Sequence, residues 1–378
     1  MMRALICIAL LTACEPFAPT VLDFEATLPA LREVGGIAAT GRGFLVAGTV
    51  PETSNAERSD YALFTLGDDG SGGSLRPFRA RPNSDEQISG LLPLANGWLM
   101  YGHNGSEVRG LRLDPEGAQL WEGVLGTGQN VRAATRSADG RRVALVGSRQ
   151  QAGMQHLWLA VFSLDGSALT LTHEELAEPA TEGWAIAASA DGGFLLGGVR
   201  NGDDPLLLRA DADGIIEPAN LHPRPDIHGR VGALLGLADG RHLLAGVEAD
   251  RGVFGVFDAQ NPTAWAPQTF CAGSGGPTRP VALAYVEGAV RIAGVLGYTQ
   301  PTLWLYATDL TGESASMRTF GALTDAGAAR IGLAFSAAGG VALASTLCEG
   351  DPCVGVPALW HMDPDGSGFG TTVTAECP

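Results

Sequence analysis

The chain has 378 residues and a net charge of −17 at pH 7, from 41 acidic side chains against 24 basic ones, all of which are arginine. A surface this acidic excludes the basic stripes that bind nucleic acid and the polybasic segments that bind anionic lipid. Without lysine, Schiff-base chemistry and a P-loop are excluded as well.

The first residues form a short apolar segment that ends at a cysteine. Arg3 precedes an apolar run over residues 4–11, which is too short to span a bilayer and is typical of a signal peptide. The run Leu11-Thr12-Ala13-Cys14 resembles the lipobox of bacterial lipoproteins. This resemblance implies a signal peptide over residues 1–13, acyl chains such as palmitate on Cys14, and a lipidated tether over residues 14–20. A secreted protein with an unrelated cysteine at this position is the alternative.

The rest of the chain repeats one unit seven times. Each unit has an apolar run, a tight turn rich in Asp and Gly, a second apolar run, a loop, and a third run that ends in an Asp-led turn. The second run ends in a small residue, the anchor, which recurs at Gly48, Gly102, Gly147, Gly198, Gly246, Gly294 and Ser345. Spacings of 45 to 54 residues between anchors predict seven propeller blades.

The repeat resembles that of secreted bacterial seven-bladed propeller proteins over residues 34–378. The resemblance implies an all-β fold, a seven-bladed β-propeller with about four antiparallel strands per blade, which we place as a single domain over residues 21–378. In blade two, residues 113–121 resemble the Trp-docking repeat of quinoprotein propellers and of the related outer-membrane assembly lipoprotein. Tryptophan packs between blades in those families, and we interpret Trp121 in the same way.

The two ends of the propeller domain decide how the ring closes. Residues 21–27 predict an additional strand before blade one, which can pair with blade seven. Residues 371–376 predict the fourth strand of that same blade. The sequence leaves open which of these two strands lies further out.

Four cysteines remain beyond Cys14 in the exported chain: Cys271, Cys348, Cys353 and Cys377. An even number in an exported protein indicates two disulfides. We favour Cys348–Cys353 together with Cys271–Cys377, and the alternative joins Cys377 to Cys348 or Cys353. Because no CxxC pair and no paired histidines accompany them, no metal site is expected.

Candidate ligand-binding residues concentrate in the connection between blades four and five. They are His222, Arg224, Asp226, His228 and Arg230. A solvated loop stiffened by proline is the alternative interpretation. The aspartate pairs at 211/213 and 363/365 are explained by turn chemistry better than by calcium. No catalytic residue and no cofactor is predicted, since the sequence has neither a GxSxG elbow nor a paired-histidine metal motif.

In an antiparallel blade, the loops between second and third strands emerge on the same side as the blade-to-blade connections, because successive turns alternate sides. We call this side the loop face and the other the tight-turn face. Long loops are expected on the loop face at residues 51–60, 148–156, 200–204, 296–301 and 348–357. A ligand site is expected there, because function on a fold usually lies in variable loops.

These observations favour a monomeric, membrane-anchored extracytoplasmic lipoprotein. Its lipid-bilayer attachment would be the acylated Cys14, and Glu15 rather than an aspartate beside it favours the outer membrane of the cell envelope. The propeller is expected to bind a protein or glycan through its loop face. The alternatives are an envelope assembly factor and a propeller lyase or hydrolase built around the central channel.

Overall fold

A computed structural model describes residues 24–28, 31–52, 55–78, 86–105, 107–127, 129–166, 168–223, 228–271, 277–297, 301–312, 315–323, 330–336, 340–349, 354–363, 369 and 371–373. Within these ranges the chain forms 28 strands and one 3₁₀ turn, Pro262–Ala264. The predicted all-β class is therefore confirmed.

Strand β1 (Phe24–Thr27) precedes the first three blades, each of which has four strands in chain order. Blade one contains β2 (Glu33–Thr40), β3 (Gly43–Glu52), β4 (Asn55–Gly67) and β5 (Ser74–Phe78). Blade two contains β6 (Gln87–Leu94), β7 (Gly97–His103), β8 (Glu107–Leu113) and β9 (Gln119–Thr127). Blade three contains β10 (Gln129–Arg136), β11 (Arg142–Gln151), β12 (Met154–Asp165) and β13 (Ala168–Pro179).

The remaining blades vary in strand number. Blade four has β14 (Thr181–Ala188), β15 (Phe194–Arg200) and β16 (Asp204–Ala210), with an isolated bridge from Ala210 to Ile216 in place of a fourth strand. Blade five has β17 (Gly229–Gly236), β18 (His242–Glu248), β19 (Arg251–Phe257) and β20 (Gln268–Phe270). Blade six has β21 (Thr278–Val286), β22 (Ala289–Leu296), β23 (Thr302–Asp309) and β24 (Ser316–Ala322), and blade seven has β25 (Gly332–Phe335), β26 (Val341–Glu349) and β27 (Val354–Met362). The last strand is β28 (Thr371–Val373).

The two chain ends join different blades. Strand β1 pairs antiparallel with β27, with Phe24 opposite His361, and so forms the outer fourth strand of blade seven. This confirms the predicted pairing of the N-terminal strand with that blade. The prediction that residues 371–376 form the fourth strand of blade seven is wrong, because β28 pairs with β24 and becomes a fifth strand of blade six. The outer edge of β27 is already occupied by β1, which leaves β28 the outer edge of the neighbouring sheet.

The hydrophobic core lies between the blades. Buried apolar side chains form seven clusters in the described part of the chain, and each cluster joins two adjacent blades. Because a blade is covered on both faces, a middle strand can be buried along its whole length, as in β18, where all seven residues are buried, including His242 and Glu248 at its two ends. Trp121 packs in the cluster between blades two and three, which confirms its interpretation as a packing residue.

The first strand of each blade is its innermost. Strands β2, β6, β10, β14, β17, β21 and β25 each contact the next, and β25 contacts β2. This closed ring of seven inner strands confirms the predicted seven-bladed propeller. All of the inner strands begin on the loop face and run toward the tight-turn face, so equivalent residues lie at equivalent depth along the central channel.

The anchor glycines are explained by a bulge in the inner strands. In blade three the register skips one residue between Val131 and Ala133, and Gly147 lies opposite Val131. A Cβ on Gly147 would lie only 1.8 Å from the carbonyl oxygen of Asn130. The anchors of the other glycine-ended blades show the same contact at 2.0 to 2.3 Å. In blade seven the anchor is Ser345, whose hydroxyl instead donates a hydrogen bond to the Arg330 carbonyl.

Aspartate side chains hold several turns of the tight-turn face. Asp191, Asp211, Asp258 and Asp309 each accept a hydrogen bond from the backbone N–H two residues on, at 2.8 to 3.1 Å. These bonds support turn chemistry at the Asp-led turns.

The expectation of long loops at residues 51–60 and 148–156 is wrong. Strand β3 extends to Glu52, and β4 begins at Asn55. Strands β11 and β12 are joined by the two-residue turn Ala152-Gly153. Long hairpins therefore stand on the loop face in blades one and three, with continuous pairing in blade three and a register shift between Pro51 and Glu52 in blade one. Polar strand residues such as Gln150 and Gln155 pair across the hairpin, which satisfies backbone groups that a loop would leave to water.

Candidate functional site

A cavity of about 410 Å³ lies in the central channel and is lined by the inner strands of all seven blades. Its size falls within the range of small-molecule pockets. The polar side chains of its lining are Gln87, Ser89, Tyr101, His103, Asn130, Arg132, Trp184 and Arg330. Most of them belong to the first residues of the inner strands, so they lie toward the loop face.

The inner-strand bulges place three of these side chains. Ser89, Arg132 and Trp184 are the residues that the register skips in blades two, three and four. A bulged residue leaves the regular alternation of the strand, and its side chain is directed differently from those of its paired neighbours. The bulges therefore bring a hydroxyl, a guanidinium and an indole from successive blades into one layer of the channel.

Two arginines contact the ring of Trp184. The guanidinium carbon of Arg132 lies 3.6 Å from the ring centroid, and that of Arg230 lies 4.2 Å from it. Arg132 comes from blade three and Arg230 from blade five, on either side of the blade that carries Trp184. Attraction between a cation and an aromatic face stabilises such contacts by about 0.5–2 kcal/mol. Each guanidinium is thereby held in position at the mouth of the channel.

Arg330 adds a second cation to the cavity lining. Its guanidinium lies 3.9 Å from a carboxylate oxygen of Glu33 and donates to the side-chain oxygen of Gln87 at 3.5 Å. Arg132 has a similar distant partner, Glu182, also at 3.9 Å. Glu33 and Glu182 are half and one-third exposed, so solvent screens both pairs and each contributes little.

The cavity is therefore cationic within an acidic protein. Among the described residues that line it are two arginines and no aspartate or glutamate. Burial lowers the pKa of Arg132 and of Arg330, and the charge of Arg330 also lowers the pKa of Arg132. Arginine nevertheless stays protonated in proteins, so both positive charges remain. The like charges act on each other across the site, which favours a bound anion.

His103 is neutral at physiological pH. Burial, with smaller contributions from Arg330 and Arg132, lowers its pKa from the ordinary 6.5 to about 4. The ring can therefore donate or accept a hydrogen bond without adding a third charge to the cavity.

Four lining side chains carry a buried polar atom without a hydrogen-bond partner. These atoms are Ser89 Oγ, His103 Nδ1, Arg132 Nε and Trp184 Nε1. Native proteins rarely leave such atoms unsatisfied, because each costs about 1–3 kcal/mol. They are four of the 24 such atoms among the described residues, and each has almost no accessible surface, so the charges of the lining arginines rather than these atoms mark the cavity as a binding site.

Further along the inner strands the lining becomes aliphatic. Two residues beyond Trp184 is Ile186, and the equivalent lining positions of other blades hold Ile37, Leu91, Leu234, Leu283 and Leu333. At about 3.3 Å per strand residue, this layer lies about 7 Å deeper than the bulged residues. The cavity thus has a polar, cationic layer at the loop face and an apolar layer behind it.

The residues predicted between blades four and five lie in separate environments. His222 is buried against Trp265, with ring centroids 5.4 Å apart, and its Nε2 lies 3.6 Å from Glu248. His228 is exposed, and its Nδ1 lies 2.7 Å from a carboxylate oxygen of Asp203. Arg230 contacts Trp184 at the channel mouth. Arg224 and Asp226 lie outside the described residues, so their placement stays a prediction.

The remaining candidates are a group of possible metal ligands and the cysteines. Asp203, Asp204 and His228 bring ligand atoms within 4.8 Å of one another, but His228 and Asp203 are exposed and already contact each other at 2.7 Å, which explains the arrangement without a metal. Cys14, Cys353, Cys377 and the side chain of Cys348 lie outside the described part of the chain, and Cys271 is buried directly after β20. The lipidation and the disulfide pairing therefore stay predictions.

Comparisons with known proteins identify the fold. No protein-family model and no curated protein matches the chain. Among solved structures, it is similar to puromycin hydrolase, with 15% identity over 92% of this chain and 55% of that one and a TM-score of 0.57. The propeller domain of the trilobed protease from Pyrococcus furiosus matches with 11% identity, 91% and 96% coverage and a TM-score of 0.54.

Oligogalacturonate lyase from Vibrio parahaemolyticus gives a comparable match, with 11% identity, 91% and 97% coverage and a TM-score of 0.54. At these identities the likeness concerns the fold and carries no activity over to this chain. Over the described ranges, no helix has the length and apolar character needed to cross a bilayer. The chain is a seven-bladed β-propeller.

Proposed function

We propose that this protein is an envelope lipoprotein whose propeller is a binding scaffold, with the channel mouth on the loop face as the centre of its binding site. The observation that carries the proposal is that Arg132 and Arg330 line that mouth, with Arg230 on the ring of Trp184 beside them, in a protein whose net charge is −17. Binding on this face would bring in a protein or glycan partner, which the hairpins of blades one and three on the same side can contact.

The charge of the site favours binding over carboxylate-based catalysis. A propeller lyase or hydrolase would use acidic pairs beside a histidine. In the described lining His103 is accompanied by arginines instead, and its lowered pKa leaves it a weak base. These features suit the recognition of an anionic group. The lyase and hydrolase activities named among the similar structures belong to those proteins.

The binding proposal is tested by grouped substitutions on the two faces. Partners are first captured by cross-linking the full-length protein on intact cells. One variant then combines Arg132→Gln with Arg230→Gln at the mouth, and a matched variant combines Arg209→Gln with Arg241→Gln on tight-turn-face hairpins. We expect capture to fall in the mouth variant alone. Loss confined to the tight-turn variant would refute the proposal.

The anchoring proposal is tested separately. We propose that acylated Cys14 holds the protein in the membrane, as the lipobox implies. Changing Cys14 to Ser should move the protein from the membrane pellet to the soluble fraction, with Cys7→Ser as the control that keeps the lipobox intact. A Cys14→Ser protein that stays in the membrane pellet as the wild type does would refute lipid anchoring. Capture of large envelope complexes by the anchored protein would favour the assembly-factor alternative.

A further inference from the structure

The two layers of the channel cavity specify different parts of a ligand. The layer at the loop face contains Arg132 and Arg330, and the deeper layer contains aliphatic side chains such as Ile186 and Leu283. Both layers line one continuous cavity of about 410 Å³. A ligand that fills it must therefore carry an anionic head and an apolar body.

The geometry of the cationic layer favours a small planar anion. A guanidinium presents its N–H groups as a flat fork, which matches the two oxygens of a carboxylate. Arg132 is held against Trp184 at 3.6 Å, so its orientation is largely set before binding. The N–H groups of Arg132 and Arg330 are the cationic donors of this layer, and they can hydrogen-bond an anion without rearrangement of the backbone.

The apolar layer, rather than the number of charges, separates a carboxylate from phosphate. Arg132 and Arg330 provide two positive charges, and the solvent-screened carboxylates of Glu182 and Glu33, 3.9 Å away, offset little of them. Inorganic phosphate has no apolar body to fill the deeper layer, whereas a carboxylate can carry one. The ring of His103 is neutral and adds no charge to this balance at pH 7.

The depth of the apolar layer determines which chemical group should be attached to the anionic head. The layer lies about 7 Å beyond the bulged residues, because the two positions are two strand residues apart. Burying apolar surface there contributes about 0.8 kcal/mol for each methylene, or about fourfold in affinity. A polar body such as a sugar would leave its hydroxyls facing aliphatic side chains, at a cost.

We propose that the channel binds a carboxylate attached to an apolar body, with the carboxylate held by Arg132 and Arg330 and the body against the aliphatic layer. This inference rests on the proposed function, since it names the ligand chemistry of the same site. A small organic acid and the C-terminal carboxylate of a peptide that ends in an aliphatic residue both present this group.

The test measures binding by calorimetry with the full-length chain in detergent. The probes are acetate, butyrate, hexanoate and octanoate, with octylamine, octanol and inorganic phosphate for comparison. We expect octanoate to bind, with affinity rising about fourfold per methylene along the series. A short peptide ending in leucine, as the acid and as the C-terminal amide, separates the two sources. Binding of the acid form without octanoate identifies a chain end and still supports the proposal.

Variants locate the site. Arg132→Gln and Arg330→Gln should each weaken octanoate binding at least tenfold, because each leaves the carboxylate with one guanidinium. Arg241→Gln, on the tight-turn face, is the matched control and should bind as the wild type does. Circular dichroism and the melting temperature of each variant establish that it folds. Arg132→Lys, which keeps the charge without the fork, gives a second measurement at the same position and should bind with intermediate affinity.

Several results would overturn the proposal. They are equal binding of octylamine or octanol, preference for phosphate over octanoate, equal affinity for acetate and octanoate, and unchanged binding in both arginine variants. If neither octanoate nor the peptide acid binds while a partner still cross-links to the loop face, the ligand inference fails and the proposed function stands. If capture also fails on that face, both are refuted.

Discussion

The close contact of Gly147 with the inner strand predicts that a side chain added at this position destabilises the protein. Gly147 is the anchor of blade three and lies opposite the bulge that carries Arg132. A Cβ at this position would lie 1.8 Å from the Asn130 carbonyl oxygen and 2.8 Å from its carbonyl carbon. Since such contacts are rarely shorter than about 3 Å, Gly147→Ala must move two strands apart by roughly an ångström. The obstacle is main chain, which cannot rotate away as a side chain can.

The expected cost follows from this displacement. Overpacking a closely packed site costs about 1–3 kcal/mol, and a clash with backbone belongs at the upper end, at about 3 kcal/mol. For a domain of this size each kcal/mol corresponds to about 1.4 °C in melting temperature, so we expect a decrease of about 4 °C. Differential scanning calorimetry measures it. Gly41→Ala is the control, because nothing lies within 4 Å of its Cβ position and it should change the melting temperature by less than about 1 °C.

A melting temperature for Gly147→Ala within 1 °C of the Gly41→Ala value would refute the reasoning, since the anchor glycines would then have another cause. Ser345→Gly tests the exception in blade seven. It removes the hydrogen bond to the Arg330 carbonyl at 3.1 Å without removing a clash, and so should cost only about 1 kcal/mol.

Three further predictions concern acid stability, the cysteines and ring closure. His103 has a folded-state pKa of about 4 against an ordinary 6.5, so its contribution to the free energy of unfolding is complete above pH 6.5 and falls by up to about 3 kcal/mol as the pH drops to 4. Urea titrations at pH 7 and pH 4.5 should show a smaller loss for His103→Gln than for the wild type, and an equal loss would contradict the pKa. Peptide mapping without reduction should recover Cys271 linked to another cysteine, whereas its recovery as a free thiol would eliminate both predicted pairings. Deleting residues 24–27 should lower the melting temperature more than deleting residues 371–378, because only β1 completes the blade that closes the ring; the reverse order would contradict this account.

The fold was predictable because its signals are local. The Asp-led turns use a side chain to hold the two residues after the aspartate, and the anchor glycine marks a contact within one blade. The turn therefore appears in the sequence at every repeat, and the glycine at six of the seven. The pairing of β28 was not predictable in this way. It depends on which sheet edge remains open once β1 has paired with β27, and that competition is decided in three dimensions.

The candidate site was harder to predict, because a one-residue bulge decides which side chains face the channel. In a regular strand, alternation from Asn130 to Ala133 would decide on which side the Arg132 side chain lies. The bulge adds one residue at Arg132, so the side on which its side chain lies no longer follows from alternation. A usable signal was present in the alignment of the blades, where Ser89, Arg132 and Trp184 share the position after the first inner-strand residues. His222 was selected for its polar neighbours in sequence, whereas the structure buries it beside Trp265, which comes from a later strand connection.

The direction of β1 determines which face of the propeller lies nearest to the start of that strand. Phe24 lies opposite His361, which pairs with Ala342 near the turn that leads into β26, so β1 starts beside the tight-turn face and runs toward the loop face. An anchor at Cys14 would thus be attached on the side away from the channel mouth, through a leash of at most about 35 Å. The attachment would therefore not cover the channel mouth, so a ligand could reach the mouth without displacing it.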